Sequence, residues 1–122
     1  MDRKTILVVD DDILIREMLS ITFENEIIFT AKNGNEALKI IRNNSTIDCI
    51  LTDYQMPEMD GLALLKNCKE QYPHIPVIMI SGKQDIKSTA LNLGAQAFIS
   101  KPFLPEIVIN EVKNITTAAF VR

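Results

Sequence analysis

Only two of the 122 residues are cysteines, Cys49 and Cys68, and only one is histidine, His74. No His or Cys stands at zinc-ligand spacing from either thiol, and two thiols build no disulfide framework. They read as reduced core side chains. His74 lies in Tyr72-Pro73-His74-Ile75-Pro76, a proline-bounded turn that offers it no catalytic setting. Positive charge is not in excess: 13 Lys plus Arg face 16 Asp plus Glu, for a formal net charge of −3. That argues against DNA or RNA as a direct partner. No apolar run approaches the roughly 18 residues of a membrane-spanning helix, so no membrane partner is expected. The start, Met1 to Lys4, leads into Thr5-Ile6-Leu7-Val8-Val9 and stops at three aspartates, unlike a secretory signal. The chain therefore reads as cytoplasmic. It is too short for a (β/α)₈ barrel, which needs about 200 residues. With 47% apolar and 24% charged residues it is also no disordered chain.

What is present is an alternation. Short, β-branched apolar runs occur at Ile6–Val9, Ile27–Ala31, Cys49–Leu51, Val77–Ile80 and Ala97–Ile99. Several are apolar at consecutive positions, which suits strands covered on both faces. Between them the apolar period is helical. Ile15, Met18, Leu19 and Phe23 share one face; Ala37, Leu38 and Ile41 share another, after an Asn33-Gly34-Asn35-Glu36 start that resembles a capping box. A third helix opens at Asp60-Gly61 with Leu62, Leu65 and Cys68 inward. A fourth is expected from about Asp85 to Leu93, ended by Gly94 as its C′ residue, and a fifth from Pro105. Five strand–helix units fill residues 1–122 as a single domain, with residues 117–122 a tail expected to fray. Strict alternation implies an α/β fold: a five-stranded parallel sheet, doubly wound, with right-handed crossovers.

The polar residues follow the strands. Asp10, Asp11 and Asp12 follow the first, Thr52 and Asp53 the third, Ser81 the fourth, Ser100 and Lys101 the fifth. Open parallel sheets bind ligands outside the carboxyl ends of their strands, where strand order reverses. The order 2-1-3-4-5 sets strands 1 and 3 side by side there, so Asp10, Asp11 and Asp53 converge. Such carboxylates repel unless they protonate or a cation neutralises them. A hard ion with few protein ligands and several waters fits, Mg²⁺ rather than an enclosed Ca²⁺. Lys101 adds positive charge and Ser81 a hydroxyl. Two positive centres flanking an aspartate suit phosphoryl chemistry at a carboxylate. Asp12 and Asp60 read instead as helix N-caps.

The segments Ile6-Leu7-Val8-Val9-Asp10-Asp11-Asp12, Leu51-Thr52-Asp53-Tyr54-Gln55-Met56-Pro57-Glu58-Met59-Asp60-Gly61, Met79-Ile80-Ser81-Gly82 and Gly94 to Phe103 resemble the receiver domain of bacterial response regulators. The resemblance covers about residues 4 to 116. It implies a flavodoxin-like (βα)₅ fold in a two-component phosphorelay. Asp53 would take a phosphoryl group from the phosphohistidine of a sensor histidine kinase or phosphotransfer protein. Mg²⁺ (or Mn²⁺) would be held by Asp11 and Asp53, by Asp10 largely through water, and by the Gln55 backbone carbonyl. Ser81 and Lys101 would contact the phosphoryl group, and Lys101–Pro102 would be cis. Phe98 matches the switch aromatic, a Phe without the hydroxyl of Tyr. The responding face would be helix 4, strand 5 and helix 5, docking to an output protein or a covalently linked output domain, with phosphorylation-dependent dimerisation a further association open to it.

Gln55 and Lys83 lie two residues beyond Asp53 and Ser81, on loops bordering the site, where they are expected to tune the lifetime of the phosphorylated state. No output module follows within the sequence, so the chain is expected as a stand-alone receiver or as a piece of a longer one, the initiating Met and the tail favouring the first. It is not expected to be an enzyme. A small phosphatase with an aspartyl-phosphate intermediate would carry an acidic residue where Gln55 stands. The rival of another class is a phosphorylation-independent interaction module on the same fold.

Overall fold

The computed structural model describes residues 3–44 and 46–121, with the side chains of residues 118–121 left out. Five strands, β1 (Thr5–Val9), β2 (Ile27–Ala31), β3 (Cys49–Asp53), β4 (Val77–Ser81) and β5 (Ala97–Ser100), alternate with α1 (Ile13–Thr22), α2 (Gly34–Asn43), α3 (Gly61–Gln71), α4 (Lys87–Asn92) and α5 (Pro105–Val121). All pairings are parallel, in the order β2-β1-β3-β4-β5. This is the flavodoxin-like, doubly wound fold expected from the sequence.

Alternate side chains of each strand point to opposite faces, and this divides the core. Leu7, Val9, Ile50, Val77 and Met79 pack with Ala37 and Ile41 of α2, Leu64, Leu65 and Cys68 of α3, and Ala90 of α4. Ile6, Val8, Cys49, Leu51, Ile78, Ile80 and Ile99 pack with Leu19 of α1 and Val108 and Val112 of α5. Burying each such Leu or Ile contributes roughly 1.5–3 kcal/mol. The two cysteines are free, buried and in different core layers. β1, β3 and β4 are buried throughout, as continuous apolar runs require. β2 departs from that expectation. It is an edge strand, and its Ile27 and Thr30 are exposed.

The helix ends explain the boundaries. Asp12 Oδ1 accepts the Leu14 N–H, and Asp60 Oδ1 accepts the Ala63 N–H, so both aspartates are the N-caps expected. Asn33 Oδ1 accepts the Glu36 N–H, while Glu36 Oε1 accepts from Lys32 N–H, one residue before the position a capping box would use. The fourth helix is shorter than its period suggested. Lys83 supplies no side-chain cap, the chain turns through a 3₁₀ segment at Gln84–Ile86, and α4 begins only at Lys87. It ends as a Schellman motif: Ala95 N–H donates to Ala90 O, Gly94 N–H to Leu91 O, and Gly94 has φ +110°. In α3, Leu64 is fully buried and Leu62 only half-buried, a shift from the face read in the sequence. α5 stays helical through Val121; the fraying expected at 117–122 falls mostly on side chains and a terminus outside the described residues. Among the described residues no helix is long and apolar enough to cross a membrane.

Candidate functional site

β1 and β3 are neighbours and end at the same edge, Val9 opposite Thr52. The residues that follow them meet there. Asp10, Asp11 and Asp53 each offer a carboxylate oxygen, all within 4.8 Å of one another. Lys101, just past β5, bridges them: Nζ lies 3.0 Å from Asp53 Oδ1 and 3.2 Å from Asp10 Oδ2. The Lys101–Pro102 peptide is cis.

Asp10 is held on every side. Its Oδ1 accepts the Asp12 N–H at 2.9 Å, its N–H donates to Ala31 O, and its carbonyl accepts from Arg16 Nη1 at 2.8 Å. Asp10 is 3% and Asp53 8% exposed, whereas Asp11 faces solvent. Burial raises the pKa of Asp10, opposed by the Asp12 N–H and by Lys101. Burial likewise raises that of Asp53, reinforced by the Asp10 charge and opposed by Lys101 and the Tyr54 N–H. For Lys101 burial works against the charge, but the Asp53 and Asp10 carboxylates outweigh it and hold the ammonium above its ordinary pKa. One ammonium against the carboxylates leaves the cluster negative.

Hard oxygen donors, residual negative charge and one solvent-facing carboxylate make a fit for a small divalent cation that keeps several waters. Gln55 and Lys83, both exposed, line an open cleft of about 420 Å³ with Asp11, Tyr54, Met56 and Asp60. Gln55 and Lys83, expected from the sequence to border the site, thus share a cleft with Asp11.

Ser81 and Phe98 make no described hydrogen bond to the carboxylates. Ser81 is buried, and its Oγ accepts the Lys83 N–H at 3.0 Å; none of its described hydrogen bonds reaches Asp53. Phe98 is half-buried and packs on the α2–α3–α4 layer. Arg16 was missed in the sequence, and Thr52 was placed at the strand edge without a role. An arginine one turn into the first helix, close behind an acidic turn, was the available signal for the former.

A doubly wound sheet with acids and a lysine gathered at its carboxyl edge defines a receiver-type α/β protein. The chain belongs to the response regulator receiver domain family, whose model matches residues 6–113. It is 40% identical over 107 residues to the DNA-binding transcriptional regulator NtrC of Proteus hauseri, spanning 84% of this chain but only 22% of NtrC. It is 31% identical over 118 residues to a chemotaxis protein CheY homolog of Campylobacter jejuni, covering 90% of each. A crystal structure of a CheX–CheY–BeF₃–Mg²⁺ complex from Borrelia burgdorferi superposes with a TM-score of 0.86 at 35% identity, over 92% of this chain and 88% of that one.

Proposed function

We propose that Asp53 is a phosphoacceptor that receives a phosphoryl group from the phosphohistidine of a sensor kinase or phosphotransfer protein in the cytoplasm. The observation that carries this is the placement of Asp53 at the end of β3, beside Asp10 and Asp11 and paired with Lys101. In the transfer, an Asp53 carboxylate oxygen bonds to phosphorus as the phosphorus–nitrogen bond to the imidazole breaks. The imidazole leaves with its electron pair and takes a proton from water. Lys101, already at Asp53, stays beside the phosphoryl oxygens and offsets their charge. Asp10, Asp11 and Asp53, with the Gln55 carbonyl, would hold Mg²⁺ or Mn²⁺. Bound there, the cation supplies charge neutralisation for the carboxylates and the incoming phosphoryl group. Asp11 is the solvent-facing member of that set, and Asp10 is oriented by Asp12 and Arg16.

The chain acts as a stoichiometric acceptor rather than as an enzyme with turnover of its own. Ser81 hydrogen-bonds the phosphoryl group after turning from the Lys83 amide, and Phe98 repacks on the α4–β5–α5 face. That face then engages an output protein, an attached output domain or a second copy. Exposed Leu91 on α4, and Leu104 and Ile107 at the start of α5, suit such docking. Lys83 lies over the phosphoryl oxygens and slows hydrolysis, while Gln55 governs the approach of water. Intact mass after incubation with phosphoramidate and Mg²⁺ tests the reading. One added phosphoryl group, labile to hydroxylamine and absent from Asp53→Asn, is expected; equal labelling of that variant removes Asp53 from the role.

A further inference from the structure

Thr52 is 0% exposed, and the three residues before it in β3, Cys49, Ile50 and Leu51, are buried and apolar. It lies on the core face of Ile50, opposite to that of Leu51 and Asp53. A valine would fill the same volume, and a buried hydroxyl is costly unless it is hydrogen-bonded. Its partner is specific: Thr52 Oγ1 donates to the backbone carbonyl of Asp53 at 2.9 Å. The same carbonyl oxygen is backed by Gly61, where any Cβ would overlap it. Gly61 N–H in turn donates to Tyr54 O at 2.7 Å.

The Asp53–Tyr54 peptide is planar, so its carbonyl and its N–H point in opposite directions. A carbonyl fixed toward Thr52 and Gly61 sends the Tyr54 N–H to the other face, where the Asp53 carboxylate lies. We infer that the Thr52 hydroxyl is a positioning residue for the phosphoacceptor: it fixes the Asp53–Tyr54 peptide, and through it the Asp53 carboxylate and the Gln55 carbonyl one residue on. The role rests on the phosphoacceptor reading above. Nothing in the expected ligand set or phosphoryl contacts assigns it.

Thr52→Val removes the hydroxyl and keeps the shape; Thr52→Ser keeps the hydroxyl and loses a methyl. The experiment measures three quantities in the full chain. They are the phosphorylation rate constant with phosphoramidate at saturating Mg²⁺, the urea midpoint, and the ¹⁵N–¹H shifts of Tyr54 and Gln55. Thr52→Val is expected to lose about tenfold in rate, the worth of one oriented hydrogen bond in a preorganised site. Its Tyr54 and Gln55 amides move, and its urea midpoint stays at or above that of Thr52→Ser. Thr52→Ser is expected to keep the wild-type rate within about twofold despite the cavity it opens. Rate and stability then rank the two variants in opposite orders, which a merely structural threonine would not do. A wild-type rate in Thr52→Val, or rates that follow stability, overturns the positioning role while leaving Asp53 as acceptor. A wild-type chain that takes no phosphoryl group overturns the phosphoacceptor reading and this role with it.

Discussion

Asp10 and Asp53 pay for their place in the fold. Burial is the largest cause of both raised pKa values, and Asp10 adds its charge against Asp53. A carboxyl group that binds its proton more tightly folded than unfolded lowers stability as pH rises from its ordinary value of 3.8 through the raised folded value. Asp53→Asn removes that contribution, and Asp10 remains to pair with Lys101. In the metal-free protein the variant is therefore expected to melt higher than wild type at pH 7, with the gap closing toward pH 4. Lys101 has the opposite sign: its raised pKa stabilises the fold fully below its ordinary 10.5 and is lost as pH climbs through the folded value. Mg²⁺ should reverse the ranking at pH 7, since at a hundred times its Kd a ligand adds about 2.7 kcal/mol to the protein that binds it. Differential scanning calorimetry at pH 4 and 7, with and without Mg²⁺, reads all four cases. A metal-free Asp53→Asn less stable than wild type at pH 7 would show that the Lys101 pair outweighs the burial of Asp53.

Among the elements, the loop between β3 and α3 carries the tightest fit. Gly61 begins α3 with its Cα against the Asp53 carbonyl and the Tyr54 backbone, and neither can retreat as a flexible side-chain end could. Gly61→Ala is expected to cost at least about 3 kcal/mol and to weaken Mg²⁺ binding, because relief requires Asp53 or Tyr54 to move. Urea denaturation and Mg²⁺ titration check both; an intact Mg²⁺ affinity would mean that α3 shifts instead. Glu58, on the same loop, holds φ at +70°, a left-handed conformation uncommon for a non-glycine residue, and accepts a hydrogen bond from Asn35 Nδ2 on α2. The sequence carried the strands and caps here, because apolar period and N-cap chemistry are local signals. It did not carry the conformation of Glu58, the buried face of Leu64 or the 3₁₀ turn before α4. Those depend on what α2, α3 and the core present to the loop, and no neighbour along the chain encodes that. The acidic cluster was legible for a different reason. In a parallel sheet every strand's carboxyl end lies at one edge, so order alone gathers Asp10, Asp53 and Lys101, whereas the Thr52 hydroxyl bond and the Arg16 reach to Asp10 O needed the folded backbone.

At the scale of the molecule, the connection between the site and its far face runs through β4 and β5. Met79 pairs with Phe98 and Ser81 with Ser100, and Gln84 Nε2 donates to Ser100 Oγ. Ser81 Oγ now accepts the Lys83 N–H. Should Ser81 turn to a phosphoryl oxygen, that N–H loses its acceptor, and the segment from Gly82 to Ile86 is released to rearrange with its link to β5. Moving a receiver from about 1% to about 99% in a second state takes roughly 5.5 kcal/mol of differential binding. A charged hydrogen bond contributes about 1.5–3 kcal/mol, so two or three contacts made only in the second state, that of Ser81 among them, are of sufficient size. A beryllofluoride–Mg²⁺ complex at Asp53 is therefore expected to shift amide resonances across residues 82–110, with Lys83 among the largest and Phe98 included. Ser81→Ala leaves the Lys83 N–H without that acceptor in the free and the bound protein alike, so the same complex at Asp53 should add little further shift in α4 and β5. Shifts confined to the loops at Asp10 and Asp53 in the wild type, or an undiminished α4 response in Ser81→Ala, would break this route between site and surface.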